Sequence, residues 1–355
     1  MASKKASENR SISGAYKTPQ SEFPVQLRLD RNEGRLPPGL AREFWTQAES
    51  AMNRYPDTSE LASLIALLEG VDADRVLVTA GGDDALNRIC QAFLSVGDEM
   101  VLPVPTFEML ERYCLLAGGR PVCVPWSGDA FPLDAVAEKI GSRSRLVAVV
   151  SPNNPTGSVI TEEQLLKLAN QNPEVTFIVD LAYTEFAGVD LTPIALELPN
   201  AIVVKTFSKA WGMAGLRVGY AIAHPETIER LRAVGNPYSV TGLSAAIVCK
   251  QLSGQSDWMN RYVERIRVER ERLTAWFRER AVTVRSSQAN FVLASFGNAE
   301  AVWLDLARQG IAVRRFERPA ELESSLRITL PGSEEDYEIL EQSLANCDFQ
   351  PGTNR

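Results

Sequence analysis

The stretch Ala201-Ile202-Val203-Val204-Lys205-Thr206-Phe207-Ser208-Lys209-Ala210-Trp211-Gly212-Met213-Ala214-Gly215-Leu216-Arg217 decides how this chain reads. Its first six residues predict a strand, mostly apolar and β-branched, of the kind buried in a parallel sheet covered on both faces. Gly212 and Gly215 interrupt the pattern, and Leu216 to Ile222 predicts a second strand. Ser208 and Lys209 therefore sit in a loop that follows a strand, where open α/β sheets bind ligands. A lysine there is a candidate Schiff-base former. Ser208 and Arg217 can clamp a phosphate dianion. A lone lysine in such a loop is more often a surface group, so its reading depends on the neighbouring strand ends.

Three other stretches have the same form. Leu146 to Val150 predicts an apolar strand, and Ser151-Pro152-Asn153-Asn154-Pro155-Thr156-Gly157 follows it as a rigid polar turn. Thr176 to Asp180 predicts a strand that ends on an acid and continues to Tyr183. A carboxylate buried there is costly unless a cation answers it, although a helix-capping aspartate is the plainer alternative. Arg75 to Thr79 predicts a strand, and Ala80-Gly81-Gly82-Asp83-Asp84 leads into a helix from Asp83 to Leu94. Amides at that helix start can hold a phosphate, while its acids also suit an unliganded helix terminus.

Strands and helices alternate from Arg75 to Ala233, which predicts an α/β fold with a mostly parallel sheet. After Pro237 the rhythm changes. Thr241 to Leu252 and Trp258 to Phe277 predict helices. Short strands at 282–284, 291–294, 311–314 and 326–329 alternate with helices at Trp303 to Gln309 and Glu334 to Ala345, as in a smaller α+β domain. The expected division is an arm over 1–28, a large domain over 29–240 and a small domain over 241–355, with part of the N-terminal segment packing on the small one. Leu27 to Asp30 predicts a short strand, and Leu40 to Ala51 a helix. Interleaved charges from Arg261 to Arg272 predict a solvated helix face.

Composition sets the outer limits. The chain has 355 residues, 45% hydrophobic and 23% charged, with a formal net charge of -8. An acidic surface without a basic run argues against a nucleic-acid partner. No apolar stretch is long enough for a membrane span or signal peptide, so a cytoplasmic protein is expected. Five scattered cysteines fit a reducing compartment. His224 is the only histidine and precedes Pro225, so it reads as structural, and no metal site is expected.

The Asn153-Asn154-Pro155-Thr156-Gly157 turn together with Ser208-Lys209 and Gly215-Leu216-Arg217 resembles fold-type I pyridoxal-phosphate aminotransferases of the class I/II group. Within that group the chain is most similar to the histidinol-phosphate aminotransferases, from Leu27 to the C-terminal helix. The resemblance implies a large domain with a mostly parallel seven-stranded sheet, pyridoxal 5'-phosphate as cofactor, and a homodimer with shared sites. It also implies a role for each matching residue. Lys209 would carry the cofactor and later move the substrate's Cα proton. Asp180 would face the pyridine nitrogen, with Tyr183 and Asn154 beside the phenolic oxygen and Phe107 stacked on the ring. Gly82, Asp83, Thr206, Ser208 and Arg217 would hold the phosphate, and Tyr55 would reach the neighbouring subunit's cofactor. Arg327 would bind a substrate carboxylate and Arg314 a substrate phosphate, Asn154 would also contact the substrate, and Tyr16 would be the substrate-binding tyrosine of the mobile N-terminal arm.

The activity implied is amino transfer between a phosphorylated amine or amino acid, histidinol phosphate first, and 2-oxoglutarate. A threonine-phosphate decarboxylase and an aromatic or other amino-acid aminotransferase are the alternatives. Asp30-Arg31-Asn32-Glu33-Gly34 departs from the subgroup's usual Asn-Glu-Asn-Pro segment and alters one wall of the pocket. A binding module on the same fold would be expected to lose Lys209 or Asp180, and both are present.

Overall fold

The structure, a computed structural model, describes residues 21–39, 54–254 and 257–349. The helix expected at 40–51 and Tyr16 lie outside them.

A first strand, β1 (Leu27–Leu29), is followed by helix α1 (Ser59–Glu69) and then by strands alternating with helices. These are β2 (Val76–Thr79), α2 (Gly81–Phe93), β3 (Glu99–Val104), α3 (Glu108–Leu116), β4 (Arg120–Pro125), α4 (Leu133–Lys139), β5 (Ser144–Val150), α5 (Glu162–Gln171), β6 (Thr176–Asp180), α6 (Thr192–Glu197), β7 (Ala201–Thr206), β8 (Gly219–Ile222) and α7 (Pro225–Ala233). Strands β2 to β8 form one sheet in the order β2-β8-β7-β6-β5-β3-β4. Only β8 runs against its neighbours, so the mostly parallel sheet expected from the alternation is present, with the seven strands that the resemblance implies. Strand β7 is buried at every position, which explains its lack of a polar face.

The chain continues through α8 (Gly242–Ser253), α9 (Trp258–Glu279), β9 (Thr283–Val284), β10 (Phe291–Ser295), α10 (Ala299–Arg308), β11 (Ile311–Arg315), β12 (Ser325–Thr329) and α11 (Glu334–Ala345). A second sheet has the order β1-β11-β12-β10-β9. Strand β1 joins its edge parallel to β11, with Leu27 opposite Ile311. One apolar cluster under this sheet takes in Tyr183, Phe186 and Ala210 together with Phe291, Val292 and Ile328. The loops after β6 and β7 are therefore packed from both sides.

Several boundaries differ from the sequence pattern. No strand begins at Leu216. A 3-10 turn covers Ala214–Leu216, Arg217 takes a left-handed φ of 53°, and β8 starts at Gly219. Helix α10 starts at Ala299 because the Asn298 side chain accepts a hydrogen bond from Ala301 N. The face of α9 around Arg261 to Arg272 is not simply solvated. Glu269 is fully buried and accepts from Gly332 N, while Arg267 and Arg270 donate to carbonyls of Glu185, Phe186, Ala187 and Ala289. Those arginines brace the chain beyond Tyr183, a job the alternating charge pattern does not disclose.

Gly219 is where β8 crosses the Gly81-Gly82 turn. A Cβ there would lie 2.6 Å from Gly81 C and Gly82 N and 2.9 Å from Lys205 O, all backbone atoms. Gly219→Ala should therefore lower stability by about 1–3 kcal/mol, seen as a lower urea midpoint. Gly215→Ala, with nothing within 4 Å, should leave the midpoint unchanged.

Candidate active site

Strands β2, β3, β5, β6 and β7 run in one direction, so their carboxyl ends share an edge of the sheet. That edge gathers the Gly81-Gly82 turn, Phe107, the 151–157 turn, Asp180 and Lys209. Asn153 is fully buried and ties two of these loops together. It donates to Pro105 O at 2.9 Å and to Thr156 Oγ1 at 2.8 Å, and accepts from Thr106 Oγ1 at 2.6 Å. Phe107, at the N-cap of α3, is fixed by this knot.

The first cluster is an anion cradle. Gly81 has φ 78°, and a Cβ on it would lie 2.6 Å from Arg217 Nη2, so glycine lets the guanidinium lie over the start of α2. Arg217 donates to Asp83 at 3.1 Å and to Ser208 Oγ at 3.5 Å. Ser208 Oγ accepts from Thr206 Oγ1 at 2.9 Å. A helix start, two hydroxyls and an arginine thus converge, as a phosphate dianion requires. The Arg217–Asp83 pair is exposed on both sides, so an incoming dianion can replace the carboxylate at small cost.

The second cluster is Lys209, Asp180 and Tyr183. Protein crowds the Lys209 ammonium, and burial, reinforced by the positive charge of Arg327, pushes its pKa down to about 8. Roughly a tenth of the amine is then neutral at pH 7, far more than for an ordinary lysine, which suits a nucleophile or base. Its Nζ donates to Arg31 O at 3.3 Å and lies 5.7 Å from the Tyr183 ring centroid. Asp180 is 5% exposed. Burial raises its carboxyl to about pKa 7, Asp83 adds to the rise, and the Ala182 amide and Lys209 offset part of it. Among the described residues the carboxylate receives one hydrogen bond, from Ala182 N at 3.1 Å. Such a group fits a ligand cation. Burial also raises the pKa of the Tyr183 hydroxyl.

The third cluster carries positive charge. Arg314 and Arg327 are opposite residues on β11 and β12, so their side chains leave the same face. Arg327 is buried, donates to Asn154 Oδ1 and donates to Asp30 O at 2.9 Å. Arg314 reaches Glu108 at 3.4 Å, with the arginine 19% and the glutamate 56% exposed. Glu108 was not singled out in the sequence, because it lies 206 residues from its partner. Tyr55 stands apart from these groups, 80% exposed and stacked on Tyr238 at 4.5 Å. Asn32, inside the departing Asp30 to Gly34 segment, donates to Tyr183 Oη at 3.0 Å, a contact no local pattern signals. Together the clusters suit a planar ligand with a phosphate at one end, a cationic ring nitrogen near Asp180 and an electrophilic carbon for Lys209.

Residues 13–344 match the family model for class I and II aminotransferases. A histidinol-phosphate aminotransferase of Ruminiclostridium cellulolyticum is 31% identical, the alignment covering 92% of this chain and 94% of that protein. An aromatic amino acid aminotransferase of Corynebacterium jeikeium is 35% identical, covering 91% and 89% respectively. The crystal structure of histidinol-phosphate aminotransferase from Sinorhizobium meliloti in complex with pyridoxal-5'-phosphate superposes with a TM-score of 0.83, at 24% identity over 90% of both chains.

The buried acid has a measurable cost. Its folded pKa, about 7, exceeds the ordinary 3.8, so the proton is bound more tightly in the folded state and stability falls as pH rises between those values. Asp180→Asn removes the penalty. In denaturant melts of the cofactor-free protein its stability gain should grow from about pH 4 to pH 7 and then level off, reaching roughly 2–4 kcal/mol. A variant less stable than wild type at about pH 8 would show that a protein cation already answers the carboxylate.

Proposed function

The chain belongs to the class I and II aminotransferases, and on that premise we propose that it moves an amino group from a phosphorylated amine or amino acid, histidinol phosphate first, to 2-oxoglutarate. Bound pyridoxal 5'-phosphate supplies an electrophilic carbon and a ring that withdraws electrons from the substrate's Cα. Thr206, Ser208, Arg217 and the backbone of the Gly82-Asp83 turn would hold its phosphate. Phe107 would support the ring, Asn154 and Tyr183 would hydrogen-bond its phenolic oxygen, and Asp180 would keep its nitrogen protonated. Lys209 holds the cofactor between turnovers. Its depressed pKa would leave the freed amine able to take up and release the substrate's Cα proton.

The pairing of Arg314 with Arg327 on one sheet face carries the substrate reading. One bidentate arginine satisfies one carboxylate, so a second arginine beside it calls for a second anion. A phosphate in the first half-reaction and the distal carboxylate of glutamate or 2-oxoglutarate in the second meet that demand in the same pocket. The Glu108 contact favours a second reading, an aromatic amino-acid donor, because Glu108 neutralises Arg314 when no substrate anion arrives. The Corynebacterium jeikeium relative bears a name of that kind.

Steady-state kinetics separate the two. With histidinol phosphate as donor, Arg314→Ala should reduce kcat/KM about ten- to a hundredfold, as expected for a lost anion contact worth about 1.5–3 kcal/mol. With an unphosphorylated aromatic donor it should change little. Equal losses below about threefold, a wild-type preference for the aromatic donor, or release of carbon dioxide would overturn the phosphorylated-donor reading.

The same proposal includes a homodimer. An 80% exposed tyrosine stacked on half-exposed Tyr238 presents aromatic surface of the kind subunit interfaces cover. Sedimentation should give a dimer, and Tyr55→Ala should retain the cofactor about tenfold less tightly. A monomer with full activity would rule out shared sites.

A further inference from the structure

Three consecutive residues of the Asp30 to Gly34 segment touch the three groups that surround the reacting position. Asp30 O accepts from Arg327, Arg31 O accepts from Lys209, and the Asn32 side chain donates to Tyr183. Asn32 is 1% exposed and has a left-handed φ of 53°, a conformation in which asparagine is enriched among non-glycine residues. Gly34 follows at a point where a Cβ would lie 1.9 Å from Lys209 O. The segment is thus pressed against the lysine loop.

The hydrogen bonds of Asn32 form one consistent set. Its amide nitrogen donates to Thr329 Oγ1 at 3.1 Å. The threonine hydroxyl has one hydrogen, which goes to Asn32 Oδ1 at 2.9 Å. That bond pins the carboxamide oxygen toward Thr329 and turns the Nδ2 group toward Tyr183 Oη, 3.0 Å away. Asn290 Nδ2, donating to Asn32 O at 3.3 Å, holds the backbone from a third side. Tyr183 Oη therefore accepts, and among the described residues its own hydrogen reaches no acceptor. A fully enclosed hydroxyl left with a free donor is costly unless a ligand takes the hydrogen.

We infer that Asn32 is a positioning residue for Tyr183: the relay from Thr329 through Asn32 fixes the tyrosine as a hydrogen-bond donor toward the cofactor's phenolic oxygen. This rests on the proposed role of Tyr183, and it assigns work to a segment that departs from the subgroup pattern. An asparagine without its Thr329 bond could rotate its amide and accept from Tyr183 instead, withdrawing the hydrogen from the cleft. The charged groups that face Tyr183 are Arg327, Asp180 and Asp83, with Lys209 beside its ring. All are left in place by substitution at Asn32 or Thr329.

The test is a pH titration of the holoenzyme's visible absorbance, which reports the cofactor joined to Lys209. A donor facing the phenolic oxygen favours the deprotonated chromophore, so loss of donation raises the midpoint. Tyr183→Phe sets the scale, at about one pH unit upward. Asn32→Asp, whose carboxylate accepts from the tyrosine, should reproduce most of that shift and lower kcat about tenfold with little change in KM. Thr329→Val should shift the midpoint the same way with Asn32 intact, and Thr329→Ser should restore it. In a Tyr183→Phe background Thr329→Val, which changes no charge, should add nothing, since both act through one hydroxyl. Urea midpoints of the same variants identify any that fail to fold, and Thr329→Val then stands in for Asn32→Asp. A shift with Tyr183→Phe but none with Asn32→Asp or Thr329→Val overturns the positioning role alone. No shift with Tyr183→Phe overturns the role of Tyr183, and this inference with it.

Discussion

The structure depends on a carboxylate that cannot leave the sheet. Asp180 ends β6, which lies between β5 and β7. Its carbonyl accepts from Ser151 N at 2.9 Å, and the next amide, Leu181 N, donates to Val204 O at 2.9 Å. The backbone is pinned on both sides, so the side chain has no route to solvent. A buried carboxylate with one amide partner costs several kcal/mol against a solvated one. The rigidity of the strand pair sustains that cost, and it keeps the carboxyl at the edge of the sheet where the strand-end loops meet. A softer loop would relieve the penalty.

The other cations of the cleft follow a complementary logic. Asp180 is buried and short of partners. Arg217 and Arg314 instead hold protein carboxylates that are about half exposed. Exposed ion pairs contribute about 0–1 kcal/mol, so exchanging Asp83 or Glu108 for a ligand anion is nearly free. Arg327 differs again. It is buried, and its bonds run to Asn154 and to the Asp30 carbonyl, so it spans the 151–157 turn, the N-terminal segment and the second sheet. Its orientation is set before any substrate arrives.

The parts legible in the sequence are those with local causes. Asp180 closes its strand, and Lys209 and Asn154 lie three and four residues beyond theirs, so an apolar run and the loop after it are enough to place them. The mostly parallel character of the sheet is readable for the same reason. The misread parts depend on distant partners. Arg267 and Arg270 look like surface charges in a charged helix, yet they hold carbonyls about 80 residues away in the chain after Tyr183. The start of β8 is misplaced because Arg217 must turn through a left-handed conformation over Gly81, which apolar periodicity does not encode. The contacts of Asn32 lie 151 and 297 residues off, so a motif comparison marks its segment only as a departure.

That departure becomes intelligible when its three contacts are considered together. The segment is neither in the large sheet nor in a helix, yet Asp30, Arg31 and Asn32 meet Arg327, Lys209 and Tyr183 in turn. Backbone carbonyls make the first two contacts, so side-chain identity at Asp30 and Arg31 is free to vary without losing them. The third contact needs a side chain that donates at one end and accepts at the other, in a left-handed backbone. Among the common residues asparagine meets all three demands; aspartate lacks the donor and glycine lacks the side chain. Gly34 then has to be small, because the Lys209 carbonyl occupies the space of its Cβ. Asn32 and Gly34 are thus fixed by the same close approach, while the residues around them can change with the substrate.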